Sequence, residues 1–299
     1  MKEEVYMRVI DLFKAKDRPL ISFEFFPPRD EEAAQKFERV IGNLAELKPD
    51  FVSVTFGAGG STKEGSYQLV DKLKNEKGLP TVAYLAGYGL GPDDIVSVLD
   101  GYKNLGIETI FVIRGDKPHG GDTFTPHPQS MPHATDMISF IKERYDFCLG
   151  AAGYPEGHIE GESKEKDLEY LKLKVDNGAE YVVSQYAYIE GCFFDFVSRA
   201  RAIGIEVPIL PGIMPIYTVK MTENLARICG TTITDEITQG LAKVSPDDKE
   251  AILNFGIDFA TQQCRQLLKE GVAGLHFYTM NRAKTVVKII NRLKKEGAL

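Results

Sequence analysis

The sequence predicts an α/β protein: one domain folded as a (β/α)8 TIM barrel, with eight parallel strands each followed by a helix. Three observations carry that prediction. Eight short apolar runs rich in Val, Ile, Phe or Tyr recur along the chain, as expected for strands buried on both faces. Amphipathic segments with helical spacing separate them, and repeated strand–helix units imply a parallel sheet covered by helices. No linker or compositional break divides residues 1–299, and a barrel of this kind uses about 250 residues. An open doubly wound sheet is the rival arrangement.

The first three runs are Leu20–Phe26, Phe51–Phe56 and Thr81–Ala86. Pro92 follows Gly91 and suits a first helical position. Ile95, Val98, Leu99, Tyr102 and Leu105 then share one helical face. Gly106 sits where that helix should stop. The fourth and fifth runs are Thr109–Ile113 and Phe147–Ala152. Leu168, Leu171 and Val175 mark the next helix, which Gly178 ends before the sixth run, Tyr181–Ser184. Gly204 precedes the seventh, Pro208–Ile213. The stretch from about 217 to 270 is long for one crossover and predicts two or three extra helices. One of them should start at Ser245-Pro246-Asp247-Asp248: a Ser N-cap, then Pro, then two acids at the positive end of the helix dipole. Gly271 leads into the eighth run, Gly274–Thr279, and Val286, Ile290 and Leu293 mark the last helix.

Composition narrows the function. The chain is 43% hydrophobic and 26% charged, which rules out wholesale disorder. Its net charge is −7 and it has no basic run, so nucleic acid is not expected as a partner. No apolar stretch approaches the ~18–20 residues that cross a bilayer, so no membrane role is expected. Met1-Lys2-Glu3-Glu4 lacks the apolar core of a secretory signal. Cys148, Cys192, Cys229 and Cys264 show neither zinc nor redox spacing. A cytoplasmic chain with reduced thiols is expected.

A barrel gathers its chemistry at the C-terminal ends of the strands. Here those ends carry Glu24; Thr55 before a glycine run, Gly57–Gly60; Arg114-Gly115-Asp116; Tyr154 and His158; Gln185; and Tyr278, Asn281 and Arg282. Glu24 lies within an apolar run beside Phe23, Phe25 and Phe26. Burial there would raise its pKa, as a general acid needs; an exposed strand-end acid is the plainer alternative. Arg114 and Asp116 read equally as a surface ion pair, and His158 as a structural imidazole. The glycine run matches only two glycines of a dinucleotide fingerprint and supports no more than a tight turn with open N–H groups. His119, His127 and His133 fit no common zinc pattern, so no metal is expected. Asp167, Tyr170 and Lys174 share one helical face. That face is either solvated or suited to a ligand whose ribose meets the carboxylate and whose phosphate meets the ammonium.

Several motifs together resemble those of methylenetetrahydrofolate reductases. They are Ser22-Phe23-Glu24-Phe25-Phe26-Pro27-Pro28; Phe51 to Ser61; Arg114-Gly115-Asp116; Ala152-Gly153-Tyr154-Pro155-Glu156-Gly157-His158; Lys174 to Ala179; Gln185; Pro211-Gly212-Ile213-Met214-Pro215; and His276 to Arg282. They occur in order over nearly the whole chain. The resemblance implies an FAD-containing barrel that reduces 5,10-methylenetetrahydrofolate to 5-methyltetrahydrofolate with NADH or NADPH by ping-pong turnover. It implies the bacterial form, a catalytic barrel alone, as a homo-oligomer. Glu24 matches the family's general acid. Thr55, Tyr84, Arg114, Gly115, Asp116, Ala134, Tyr154, His158, Asp167 and Lys174 match positions that hold FAD. Asp116 also matches the acid facing the pterin, and Gln185 and Arg282 match substrate contacts. After strand three many members carry His-Leu-Thr-Cys, where this chain has Tyr84-Leu85-Ala86-Gly87. Leu225 stands where some relatives place a Phe. These departures motivate a second reading, in which a partner flavoprotein or ferredoxin-linked subunit supplies the electrons.

Overall fold

The computed structural model describes residues 8–15, 17–56, 63–116 and 125–299. The Met1–Glu4 segment, the Gly57–Gly60 run and His119 lie outside the described residues.

Strands and helices alternate from the start. After α1 (Val9–Ala15) come β1 (Leu20–Phe25), α2 (Glu31–Ala45), β2 (Phe51–Val54) and α3 (Lys63–Asp71), which continues into a π-helical turn. Then follow β3 (Thr81–Ala86), α4 (Pro92–Asn104), β4 (Thr109–Ile113), α5 (Ala134–Lys142), β5 (Cys148–Gly153), α6 (Lys164–Asp176), β6 (Ala179–Ser184) and α7 (Cys192–Ala202). The chain ends with β7 (Ile209–Leu210), β8 (Gly212–Ile213), three helices α8 (Val219–Cys229), α9 (Asp235–Ala242) and α10 (Lys249–Lys269), β9 (Gly274–Tyr278) and α11 (Ala283–Lys295).

All the strand pairs are parallel, in the order β7-β6-β5-β4-β3-β2-β1-β9-β8. The two ends of that order are halves of one strand. Pro211 has no N–H to give to a ladder, so it separates β7, which pairs with β6, from β8, which pairs with β9. Its carbonyl still accepts the His276 N–H at 3.1 Å, so the wall continues through the interruption. The result is a TIM-like barrel, not an open sheet.

Alternation along the strands sorts the side chains. Phe25 packs edge-on against Phe37 of α2, outside the barrel. Inside, Phe111 lies 4.6 Å from the Tyr84 ring and 6.0 Å from that of Tyr181, and Phe51 stacks on His276 at 6.2 Å. This aromatic layer fills the barrel below the mouth. Gly150 makes room for it: a Cβ there would stand 2.4 Å from Tyr181 Cζ and 2.5 Å from the Phe111 ring.

One helix start differs from the sequence expectation. Asp248, not Ser245, caps α10, accepting the Ala251 N–H at 2.9 Å. Pro246 and Asp247 instead form the middle of a turn closed by the Asp248 N–H on the Ser245 carbonyl at 2.9 Å. Among the described residues no helix is long and apolar enough to cross a membrane.

Candidate active site

Two groups of expected site residues come together at the C-terminal ends of the strands. The first lines a cleft of about 990 Å³ above β4 and β5. Arg114, Ala134, Tyr154, His158, Asp167 and Lys174 all face it, and so does Tyr170. The shared face of α6 is therefore a cleft wall, not simply a solvated stripe.

Each of these side chains is placed by local structure. Gly115 has φ +82°, and a Cβ there would stand 2.9 Å from that of Ala86, so this turn requires glycine. Arg114 does not pair with Asp116, which is exposed. It meets Glu160 at 2.6 Å across the cleft and holds that carboxylate below its usual range. Ala134 is the first residue of α5, with His133 as N-cap, so the positive end of that helix borders the cleft. Asp167 accepts the His158 N–H through Oδ2, which ties the loop after β5 to α6. His158 stands edge-on to Tyr154 at 4.7 Å, and its Nδ1 accepts the Glu160 N–H at 3.1 Å. Burial, then the nearby Arg114 charge, lowers its pKa, so the ring is neutral with Nε2 as its donor. Lys174 donates to the Ala152 carbonyl at 3.0 Å, and its ammonium lies 5.7 Å from the centre of the Tyr154 ring. Burial lowers that ammonium to about 8.

The second group surrounds Glu24. Its side chain is 17% exposed. The aromatic neighbours that the sequence suggests for it, Phe23 and Phe25, lie on the opposite face of β1, because adjacent strand residues point apart. Other side chains face it instead. Tyr84 donates its O–H to Glu24 Oε2 at 2.6 Å. His276 Nε2 stands 3.9 Å from the same oxygen and has no hydrogen-bond partner, while its Nδ1 meets Ser22 Oγ at 2.8 Å. The register between β1 and β9 pairs Ser22 with His276 and Glu24 with Tyr278. Tyr278 donates to the Ser184 carbonyl at 2.9 Å.

The remaining residues are spread around the mouth. Thr55 is buried, and its carbonyl accepts Ser66 Oγ–H at 2.9 Å. Gln185 lines a second cavity of about 670 Å³, and its Oε1 accepts the Tyr186 N–H at 3.1 Å. Arg282 lies over the Tyr217 ring at 5.4 Å. The turn before it holds Met280 and Asn281 at φ 50° and 51°, left-handed values uncommon outside glycine. Asn281 stabilises that turn by bonding both the N–H (3.2 Å) and the carbonyl (2.8 Å) of Phe26 at the end of β1. Leu225 packs in a separate apolar cluster with Tyr186, Tyr188 and Met214. Among the described residues no cluster of three or more His, Cys, Asp or Glu is placed to hold a metal ion.

Sequence reasoning assigns no role to His276. Its signal is a polar residue two positions from Tyr278 within an apolar run, the same spacing that joins Ser22 to Glu24. In buried strands that spacing marks the barrel interior.

Comparison with known proteins identifies the family. The methylenetetrahydrofolate reductase family model matches residues 9–294. The chain is 34% identical to the 5,10-methylenetetrahydrofolate reductase of Escherichia coli strain K12, over 91% of this chain and 90% of that protein. It is 36% identical to methylenetetrahydrofolate reductase (NADH) 1 of Arabidopsis thaliana, over 96% of this chain but 51% of that protein. The chain thus spans about half the length of the plant relatives it matches. Among solved structures, a Clostridium thermocellum protein described as binding two copies of 5-methyl-5,6,7,8-tetrahydrofolic acid has TM-score 0.65 at 16% identity, covering 96% of this chain and 98% of its own, which supports the fold. A match along nearly the whole chain, joined to a bacterial relative covered almost end to end, places it: the chain belongs to the methylenetetrahydrofolate reductase family.

Proposed function

We propose that this chain reduces 5,10-methylenetetrahydrofolate to 5-methyltetrahydrofolate, with FAD held in the cleft above β4 and β5 and reduced nicotinamide as the electron source. One observation carries the reading: six residues at positions matching the family's cofactor contacts line a single cleft, while Glu24 stands at the barrel mouth and accepts a hydrogen bond from Tyr84.

The cleft suits a dinucleotide. It offers two cations, Arg114 and Lys174, and the N-terminus of α5 for a diphosphate. Asp167 keeps Oδ1 for a ribose hydroxyl while Oδ2 holds the loop. FAD bound there supplies the hydride storage that the side chains cannot. Thr55, Gly115 and Asp116 complete its surroundings in this reading, as does Tyr84.

The chain's own residues then act on the folate. The methylene bridge must open before it can accept a hydride. Glu24 protonates N10, directly or through one water, and opening leaves a 5-iminium cation. With Tyr84 on Oε2, Oε1 carries the acid proton. Asp116 favours the developing positive charge and hydrogen-bonds the pterin. Gln185, whose Oε1 is taken by Tyr186, orients the pterin through its NH2, and Arg282 holds the substrate.

Anaerobic titration of the FAD-loaded chain with NADH and with NADPH tests this reading. At least one should bleach the visible flavin band. A chain that takes up FAD but is bleached by neither contradicts the nicotinamide assignment, and a chain that takes up no FAD contradicts the whole reading.

The Arg114–Glu160 pair gives a further expectation. In this reading the Glu160 carboxylate competes with an anionic cofactor for the guanidinium. Both side chains are partly exposed, so the pair is weak. Glu160→Gln should tighten FAD binding by about two- to fivefold, in line with an exposed ion pair. Quenching of flavin fluorescence reads the change; equal or weaker binding in the variant contradicts the competition.

A further inference from the structure

The tyrosine at position 84 stands where many family members carry a histidine, and its hydroxyl meets the carboxyl proposed as the acid. Its ring stacks on Phe111 at 4.6 Å, 25° from parallel, and its side chain is buried. The stack fixes the ring, and the ring fixes where the hydroxyl reaches. That point is Glu24 Oε2, at 2.6 Å.

We infer that Tyr84 is a positioning residue for Glu24: its hydrogen bond locks Oε2 and leaves Oε1 to face the substrate. The inference rests on the proposed role of Glu24. Its physical basis is the stacked ring that fixes the hydroxyl on Oε2; because a donor to a carboxylate favours the ionised form, removing the donor gives a readable change. Burial first, then the neighbouring Glu24 charge, drives the Tyr84 phenol well above its ordinary pKa, so it remains a donor and does not titrate alongside its partner.

Among the described residues, the other groups near Glu24 come from β9, α8 and β1. From β9 come His276 Nε2, at 3.9 Å, and the Tyr278 phenol. From α8 comes the Cys229 thiol. On β1, Ser22 reaches Glu24 only through His276. Burial raises both Tyr278 and Cys229, so they stay neutral near pH 7. His276 stands near the same oxygen but is common to the parent and every Tyr84 variant, so a difference between them isolates the phenol.

Difference infrared spectroscopy on the FAD-loaded protein provides the test. Subtracting the Glu24→Gln spectrum leaves the carboxyl C=O band of Glu24, which is titrated against pH. Loss of a hydrogen bond to a charged group in Tyr84→Phe should raise the midpoint by about one pH unit. The falling limb of the pH profile for the folate half-reaction should move the same way. Replacing Tyr84 with 3-fluorotyrosine keeps the ring and strengthens the donor, so the midpoint should fall. Equal midpoints in the parent and Tyr84→Phe, or unchanged titration with the fluorinated ring, overturn the inference. The infrared midpoint is independent of turnover. If Glu24→Gln still reduced folate at the parent rate, the acid assignment would fail while the measured coupling between residues 24 and 84 stood.

Discussion

Glu24→Gln should lose folate reduction by about 10²- to 10⁴-fold, the usual worth of a positioned general acid. Reduction of the bound flavin by nicotinamide should stay close to the parent rate. The substitution is nearly isosteric, and the Gln carbonyl can still accept the Tyr84 O–H that now reaches Oε2 at 2.6 Å. The Glu24 backbone carbonyl, which accepts Thr279 Oγ1–H at 2.7 Å, is untouched. The variant should therefore fold and bind FAD, losing only the proton. Stopped-flow measurement of each half-reaction separates the outcomes. Equal losses in both half-reactions with flavin still bound would assign Glu24 to cofactor placement and remove it as the general acid.

Lys174→Met should weaken FAD binding by about 10- to 100-fold, the scale of a charge-assisted hydrogen bond in a sheltered site. The long apolar side chain replaces the lysine stem, so packing of α6 is largely kept. The parent protein carries its own pH signature of the same contact. Burial lowers the Lys174 ammonium to about 8, so in the free protein it loses its proton above that pH. An anionic cofactor favours the protonated form and raises its pKa on binding. Affinity is then highest below about pH 8 and falls as pH rises, by up to about tenfold per unit until the bound-state pKa is reached. Flavin titrations across that range should show the decline in the parent and a flatter dependence in Lys174→Met. A pH-independent parent affinity would place the diphosphate elsewhere.

The fold is legible because buried parallel strands are continuous apolar runs, and each run here is bounded by glycine, proline or a polar strand end. Even the split of the seventh strand has its cause in view at Pro211, between Leu210 and Gly212. The start of α10 is misplaced from sequence because Ser245 and Asp248 are both good caps, and only the turn through Pro246 and Asp247 decides between them. The cleft is partly legible as well. Asp167, Tyr170 and Lys174 share a face by helical spacing alone, but that the face lines a cleft depends on the loop after β5, which spacing does not place. For Glu24, chain neighbours are a poor guide to its surroundings. Phe23 and Phe25 point away from it. Its real neighbours, Tyr84 and His276, come from β3 and β9, and contacts across a barrel follow from register and closure, not from any local pattern. By sequence Tyr84 is a departure that bears on flavin tuning and on the source of electrons; the structure adds a bond to the Glu24 carboxyl.

The most direct measurement is to reduce the FAD-loaded protein anaerobically, remove excess reductant, and mix it with 5,10-methylenetetrahydrofolate. The flavin should reoxidise without oxygen, with 5-methyltetrahydrofolate formed in equal amount. Flavin that stays reduced in the presence of the folate would contradict the account.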